Sequence, residues 1–273
     1  MPGKKTFVFA VIAILFLGLS GWGHAGNPTP DTTGASQASP DPAKILKEMT
    51  NYLQSLKQFS YRADVTDDQV YDQDNKLQYS LDMEIFVKRP DKIRVNGQGD
   101  LENQELFYDG KTLTMYQKDK NLYAAAPMPP TIDAALDKAF KDFDLQVALA
   151  DLTCGNAYDF LMDDVTHRLY VGLSGVRGVS CHHLAFDQDD FQWQIWIEAG
   201  GKPLPRKLLV TQKRLLGSPQ WTAYLTDWNF SPELADSLFT FVAPAGARRI
   251  EFLPPAKAET KPKPRGQKKG PKS

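Results

Sequence analysis

Alternation of apolar and polar residues is the feature that most constrains the fold of this chain. From Phe59 onward, apolar residues occupy every second position over most of the sequence, as in the run from Tyr79 to Val87. Side chains of a β-strand point alternately to opposite faces, so this period of two predicts strands with one buried and one hydrated face. Asp-Gly, Gly-Asp and Lys-Asn pairs between the runs predict tight turns, and therefore antiparallel neighbours.

About eleven strands are predicted in this way. They lie at 59–71, 79–87, 92–97, 101–108, 112–117, 122–126, 165–173, 179–186, 191–198, 204–213 and 221–230. A large antiparallel sheet rarely stays flat, so it must curl into a barrel, split into a sandwich or be covered by helices.

Two helical regions are predicted to cover the sheet. Asp41 is expected to cap a helix that begins at Pro42 and extends to about Leu56. The second region, 131–163, interrupts the strands and carries an apolar stripe at helical spacing. The stripe consists of Ile132, Leu136, Ala139, Phe140 and Phe143. The expected fold class is therefore mainly β with an α layer (α+β).

The N-terminal residues predict export. Lys4 and Lys5 precede an apolar run of 13 residues, which is shorter than the roughly 20 residues that cross a bilayer. Small residues before Gly26 predict cleavage after Ala25, and no cysteine follows the run to accept a lipid anchor. We therefore expect a signal peptide at 1–25 and a protein that is periplasmic.

The remaining segments outside the fold are polar. Residues 26–41 are rich in Pro, Thr, Ser and Gly and predict a flexible linker, which leaves 42–255 as the folded domain. Residues 256–273 contain seven Lys or Arg and one Glu, and predict a disordered basic tail. The tail either contacts an anionic membrane or lipopolysaccharide, or is soluble without a partner. No nucleic-acid partner is expected.

The cysteines predict a covalent link. Cys154 and Cys181 are the two cysteines of the chain, and an oxidising compartment favours their pairing in a disulfide. The alternative is two separate buried thiols.

The residues that could act in catalysis or metal binding form no pattern typical of an enzyme. His182 and His183 are neighbours on a predicted strand, so they point to opposite faces and do not jointly bind zinc. Ser174 lacks the following glycine of a nucleophile elbow, and acidic pairs such as Asp67-Asp68 fall where turns are expected. We expect no metal, no cofactor and no catalysis, with a hydrolase lacking a recognisable motif as a minor alternative.

Three segments carry a resemblance to a known family. These are KRPDKIRV at 88–95, YDGK at 108–111, and 231–241 with SPEL and LFTF. The chain resembles predicted periplasmic proteins of a domain family of unknown function, in the superfamily of the lipoprotein carriers LolA and LolB and the lipid-binding LppX. The resemblance spans 43–255 and implies an unclosed β-barrel capped by helices, with an apolar cavity for acyl chains.

Two functions remain open. The first is a monomeric carrier of a lipid or an acylated protein, and the second is a protein-interaction or stress-sensing module with a filled core. Apolar rows of the strands are the predicted cavity lining, and the stripe at 132–143 is the predicted lid. The candidate residues are Leu81, Met83, Ile85, Met115, Ile132, Leu136, Phe140, Phe143, Trp193, Ile195, Leu208, Val210, Trp221 and Leu225.

Overall fold

A computed structural model describes residues 39–71 and 75–253. Twelve strands form one sheet. They are β1 (Gln58–Val70), β2 (Lys76–Lys88), β3 (Lys92–Gly99), β4 (Asn103–Tyr108), β5 (Thr112–Gln117), β6 (Leu122–Pro127), β7 (His167–Val176), β8 (Val179–Asp187), β9 (Phe191–Glu198), β10 (Pro205–Gln212), β11 (Gln220–Asn229) and β12 (Arg248–Ile250).

The sheet consists of two meanders joined side by side. Strands β1 to β6 pair in sequence order, as do β7 to β11, and β1 pairs with β11 to join the two halves. Pairing is antiparallel throughout except between β12 and β6, which are parallel. The terminal strands of the sheet are β12 and β7, so the barrel is not closed, as predicted.

Helices cover one face of the sheet. They are α1 (Pro42–Ser55), α2 (Ile132–Phe143) and α3 (Ala157–Met162), with a 3₁₀ turn at Ala150–Thr153. Asp41 caps α1 by accepting a hydrogen bond from the amide of Ala43 at 3.0 Å, as the sequence predicted. None of the described helices is long and apolar enough to cross a bilayer.

A single large core lies between the sheet and the helices. Leu46 and Met49 of α1 are fully buried, and they share this core with Ile85 of the first meander and Ile195 of the second. Because apolar side chains from both halves meet the same helices, we call the face that they occupy the inner face. The opposite, outer face carries mostly polar and charged side chains.

The eleven predicted strands are all present, and the structure adds β12. Strand β12 has three residues, too few for an alternating pattern to be recognised. The second helical region is shorter than predicted, because residues 144–149 lie between α2 and the 3₁₀ turn without helical structure. The signal peptide, most of the linker and the basic tail lie outside the described residues.

The predicted disulfide is wrong. Cys181 lies on the outer face of β8, packed with Val176 and Trp196. Cys154 follows the 3₁₀ turn in the helical layer and contacts the carbonyl of Ala150, on the other side of the sheet. The sheet separates the two thiols, and neither cysteine is in a disulfide. An oxidising compartment favours a disulfide between two thiols that meet, but it does not set the distance between them.

Candidate functional site

A cleft of about 530 Å³ lies on the inner face of the first meander. It is formed by neighbouring ends of β1 to β5, and residues 144–148, which follow α2, complete its lining; we call this segment the cover. Its lining includes Val65, Asp67, Gln69, Tyr79, Ser80, Leu81, Met83, Val95, Gly97, Leu101, Glu102, Gln104, Glu105, Leu106, Met115, Gln117, Lys120, Asp144, Leu145, Gln146, Val147, Ala148 and Trp221.

The floor of the cleft is apolar. Alternation along β2 directs Leu81 and Met83 to the inner face, and β5 places Met115 there in the same way. The cover contributes Leu145 and Val147, which are partly buried against the core. Methionine and leucine side chains adapt in shape, so a floor of this composition suits a flexible apolar group.

Gly97 leaves the space of the cleft open. A Cβ at this position would lie 3.4 Å from Cδ1 of Leu81 and 3.7 Å from the carbonyl oxygen of Gln104, which are ordinary contact distances. The backbone of β3 therefore tolerates a side chain here, and the absence of one leaves room above the floor of the cleft. A larger residue at position 97 would occupy the cleft itself.

Charged side chains also belong to the lining of the cleft, and we call the part that they form the mouth. Asp67, Glu102 and Asp144 contribute carboxylates, and Lys120 contributes one ammonium group. Glu105 also belongs to the lining, but it is neutralised by two ion pairs. They join its Oε1 to Nη2 of Arg94 at 3.2 Å and to Nζ of Lys118 at 2.8 Å.

Asp67 and Asp68 occupy opposite environments. Burial raises the pKa of Asp67, and the neighbouring carboxylates of Asp68 and Glu102 raise it further, against one hydrogen bond from Gln69. Burial alone would also raise the pKa of Asp68, but hydrogen bonds from Lys76, the amide of Gln220 and Gln78 outweigh it. The pKa of Asp68 is lowered as a result.

The interpretation of this acidic pair as turn residues is wrong. Both residues lie inside β1, which extends to Val70. Asp67 is in phase with Val65, so strand alternation directs it to the inner face. The sequence therefore allowed this prediction: Asp67 is a charged residue at a position of β1 where the alternation places an apolar, inward-facing side chain.

Four of the fourteen candidate residues line the cleft: Leu81, Met83, Met115 and Trp221. Six others are buried in the continuous core: Ile85, Trp193, Ile195, Leu208, Val210 and Leu225. The structure separates the two groups along the strands, since the cleft occupies one end of the first meander. A role for the core residues in binding stays a prediction.

The four candidates of the lid belong to α2. Ile132 is buried, Leu136 and Phe143 pack against the core, and Phe140 is 37% exposed. Phe143 also stacks on Phe252 with ring centroids 4.7 Å apart. The residues of the cover follow α2. Because 131–163 was predicted as a helical region, an irregular segment at this point was not expected.

The two neighbouring histidines lie on opposite faces of β8, as alternation predicted. Nδ1 of His182 is 3.1 Å from the hydroxyl of Tyr170, and Nε2 of His183 is 2.8 Å from Oε1 of Gln194. His183 also stacks on Trp196, with ring centroids 4.0 Å apart. Among the residues that the structure describes, no three His, Cys, Asp or Glu side chains gather to hold a metal ion.

These features define a curled antiparallel sheet with helices on its inner face and an apolar cleft on the same face. A sequence model of the family described as predicted periplasmic protein (DUF2092) matches residues 43–253. The chain therefore belongs to this family, which confirms the resemblance seen in the sequence. A search of curated proteins finds no match.

Several solved structures match most of the chain at low sequence identity. An uncharacterized conserved protein from Thermus thermophilus has a TM-score of 0.46 and 13% identity, over 76% of this chain and 97% of that one. The lipoprotein LppX from Mycobacterium tuberculosis has a TM-score of 0.43 and 13% identity, over 71% and 97% of the two chains. A LolA superfamily protein from Nitrosomonas europaea has a TM-score of 0.37 and 13% identity, over 72% and 96%.

Proposed function

We propose that this protein is a periplasmic binding or carrier protein for a hydrophobic ligand, a lipid or a lipid-modified protein. The observation that carries the proposal is the cleft, whose floor is built from Leu81, Met83 and Met115. Its volume of about 530 Å³ lies within the range of about 300–1,000 Å³ that is typical of small-molecule sites. The proposed role is non-enzymatic, and the proposed working form is an exported monomer that begins at Gly26.

Burial of an alkyl chain supplies the affinity in this proposal. Transfer of each methylene group from water into the cleft contributes about 0.8 kcal/mol, without any polar contact. A chain of several methylene groups thus offsets the entropy lost on association. The apolar floor holds the chain, and the mouth places the polar end of the ligand beside solvent.

Movement of the cover admits and releases the ligand in this proposal. Asp144, its first residue, and Leu149, which follows it, have left-handed backbone conformations with φ 54° and φ 62°. Leucine adopts this conformation only when its surroundings impose it, and Leu149 is buried, so it anchors one end of the cover in the core. In this proposal the movement takes place at the other end, at the exposed Asp144.

The substitution Gly97→Leu tests the proposal. Its side chain would fill the cleft, so uptake of a neutral environment-sensitive dye is expected to fall strongly while the fold is retained. The stability is expected to rise, because the new apolar side chain is buried and a flexible glycine is removed from a strand. Dye fluorescence measures uptake, and thermal unfolding followed by circular dichroism measures stability.

Gly175→Leu is the matched control. Gly175 lies in β7, remote from the cleft, and a Cβ there meets no atom within 4 Å. Retained dye uptake in this variant, together with loss in Gly97→Leu, supports the proposal. If neither the wild-type protein nor the control takes up dye, the carrier function is refuted and a protein-interaction module takes its place. Loss of stability in Gly97→Leu without any change in uptake would also contradict it.

A further inference from the structure

The mouth of the cleft has an excess of negative charge. Asp67 belongs to β1, Glu102 belongs to the turn between β3 and β4, and Asp144 directly follows α2. Lys120, from the turn between β5 and β6, is the basic residue of the lining. Three separate parts of the chain therefore contribute carboxylates to the mouth, together with one ammonium group.

Neighbouring side chains leave this excess uncompensated. Among the ion pairs of the described residues, none involves Asp67, Glu102 or Asp144. By contrast, Glu105 is held between two cations, and Asp68 is held by Lys76 at 2.9 Å. Ion pairs thus neutralise Glu105 and Asp68, whereas the described residues supply none to the three carboxylates of the mouth.

Asp67 has acceptor capacity to spare. Its one side-chain hydrogen bond comes from Nε2 of Gln69 at a long 3.4 Å. A carboxylate accepts up to about four hydrogen bonds. Partial burial beside the apolar floor also makes an approaching positive charge more strongly attracted than it would be in bulk water.

We propose that the ligand of this cleft is a cationic amphiphile, with an alkyl chain on the apolar floor and an ammonium or similar donor group at the acidic mouth. This inference rests on the proposed function and specifies the ligand class of the same site. An anionic amphiphile such as a free fatty acid meets repulsion from Asp67, Glu102 and Asp144 and binds more weakly. The apolar floor and the charged mouth together determine which class of ligand binds and in which orientation.

Three amphiphiles with the same alkyl chain test the inference: decylamine, decanol and decanoate. Each is added at pH 7 to protein that carries a neutral fluorescent dye, and the concentration that displaces half of the dye is measured. Decylamine is expected to act at about tenfold lower concentration than decanoate, with decanol between them, as expected for one or two charge contacts at a partly hydrated site.

Two Asp→Asn variants locate the effect. Asp67→Asn removes one carboxylate of the mouth and is expected to reduce the ratio between decanoate and decylamine several-fold. Asp82→Asn is the control, since Asp82 is an exposed residue of β2 on the outer face, and it should leave the ratio unchanged. An equal reduction in both variants would show that only overall charge matters, which overturns the inference.

The outcomes separate the ligand class from the general function. Equal displacement by all three amphiphiles, or preference for decanoate, overturns the cationic ligand and leaves a hydrophobic carrier in place. Failure of the wild-type protein to bind the dye and all three amphiphiles refutes the proposed function itself. Decylamine preference that depends on Asp67 supports both.

Discussion

Asp68→Asn and Asp67→Asn should change the stability of this protein in opposite directions, although the residues are neighbours in β1. Asp68 is 5% exposed and accepts hydrogen bonds from Lys76 at 2.9 Å, Gln78 at 3.0 Å and the amide of Gln220 at 3.1 Å. Through Gln220 it ties β1 to the start of β11. These two strands join the two meanders.

The expected cost of Asp68→Asn follows from these contacts. Asparagine keeps one acceptor oxygen, so it loses the ion pair with Lys76 and at least one hydrogen bond. Together they contribute about 2 kcal/mol, because Lys76 is itself partly exposed. For a domain of this size the melting temperature should fall by about 4–8 °C at pH 7.

The dependence on pH has opposite signs for the two residues. The pKa of Asp68 is lowered in the folded state, so its stabilisation is present at neutral pH and disappears as the pH falls through that pKa. The pKa of Asp67 is raised, so its ionised form destabilises the fold, and protonation relieves this. Asp67→Asn should therefore raise the melting temperature at pH 7, and the difference from wild type should shrink as the pH is lowered.

Thermal unfolding by circular dichroism between pH 2 and pH 8 measures both effects, with the exposed Asp82→Asn as control. A shift of the same sign in both variants at pH 7 would refute the assignment of their environments. So would a shift in Asp68→Asn that already disappears above pH 4, because the lowered pKa of Asp68 places its loss below that pH.

Two further predictions concern the cysteines and the C-terminal segment. When the protein is unfolded without reductant, both cysteines should react with a thiol reagent. In the folded state Cys181 should react far more slowly, because it is buried and burial raises its pKa to about 11. If the unfolded protein reacted only after addition of a reductant, the cysteines would be paired in a disulfide and the structure would be contradicted on this point. Phe241→Ala should lower the free energy of unfolding by about 1–3 kcal/mol, since the ring packs on Phe107, Tyr116 and Tyr123 with centroids 5.0–5.4 Å away. Denaturant titration measures the loss, and an unchanged midpoint would show that this segment does not stabilise the sheet.

Local patterns in the sequence determined the secondary structure. The period of two located eleven strands because one buried face imposes it on every residue of a strand, whatever the neighbouring strand is. The Asp41 cap of α1 and the apolar stripe of α2 were predicted in the same way, since both depend on contacts within a few residues. Strand β12 escaped prediction because three residues are too short to show a period.

Tertiary structure alone decided which apolar residues surround empty space. Met83 and Ile85 share one face of one strand, yet Met83 lines the cleft and Ile85 is fully buried in the core. Alternation assigns a side chain to a face, but it does not tell how closely the opposite layer approaches. That distance depends on where α2 ends and on the path of residues 144–148.

The separation of the cysteines and the environment of the acidic pair have the same origin. Cys154 and Cys181 lie on opposite sides of the sheet, and Asp68 meets Gln220 across a pairing of the first strand with the eleventh. Contacts between residues far apart in the chain form only when the strands assemble into one sheet. The sequence by itself determined the strands, the helices and the faces of this protein, whereas the packing of these elements determined the cleft and the charge at its mouth.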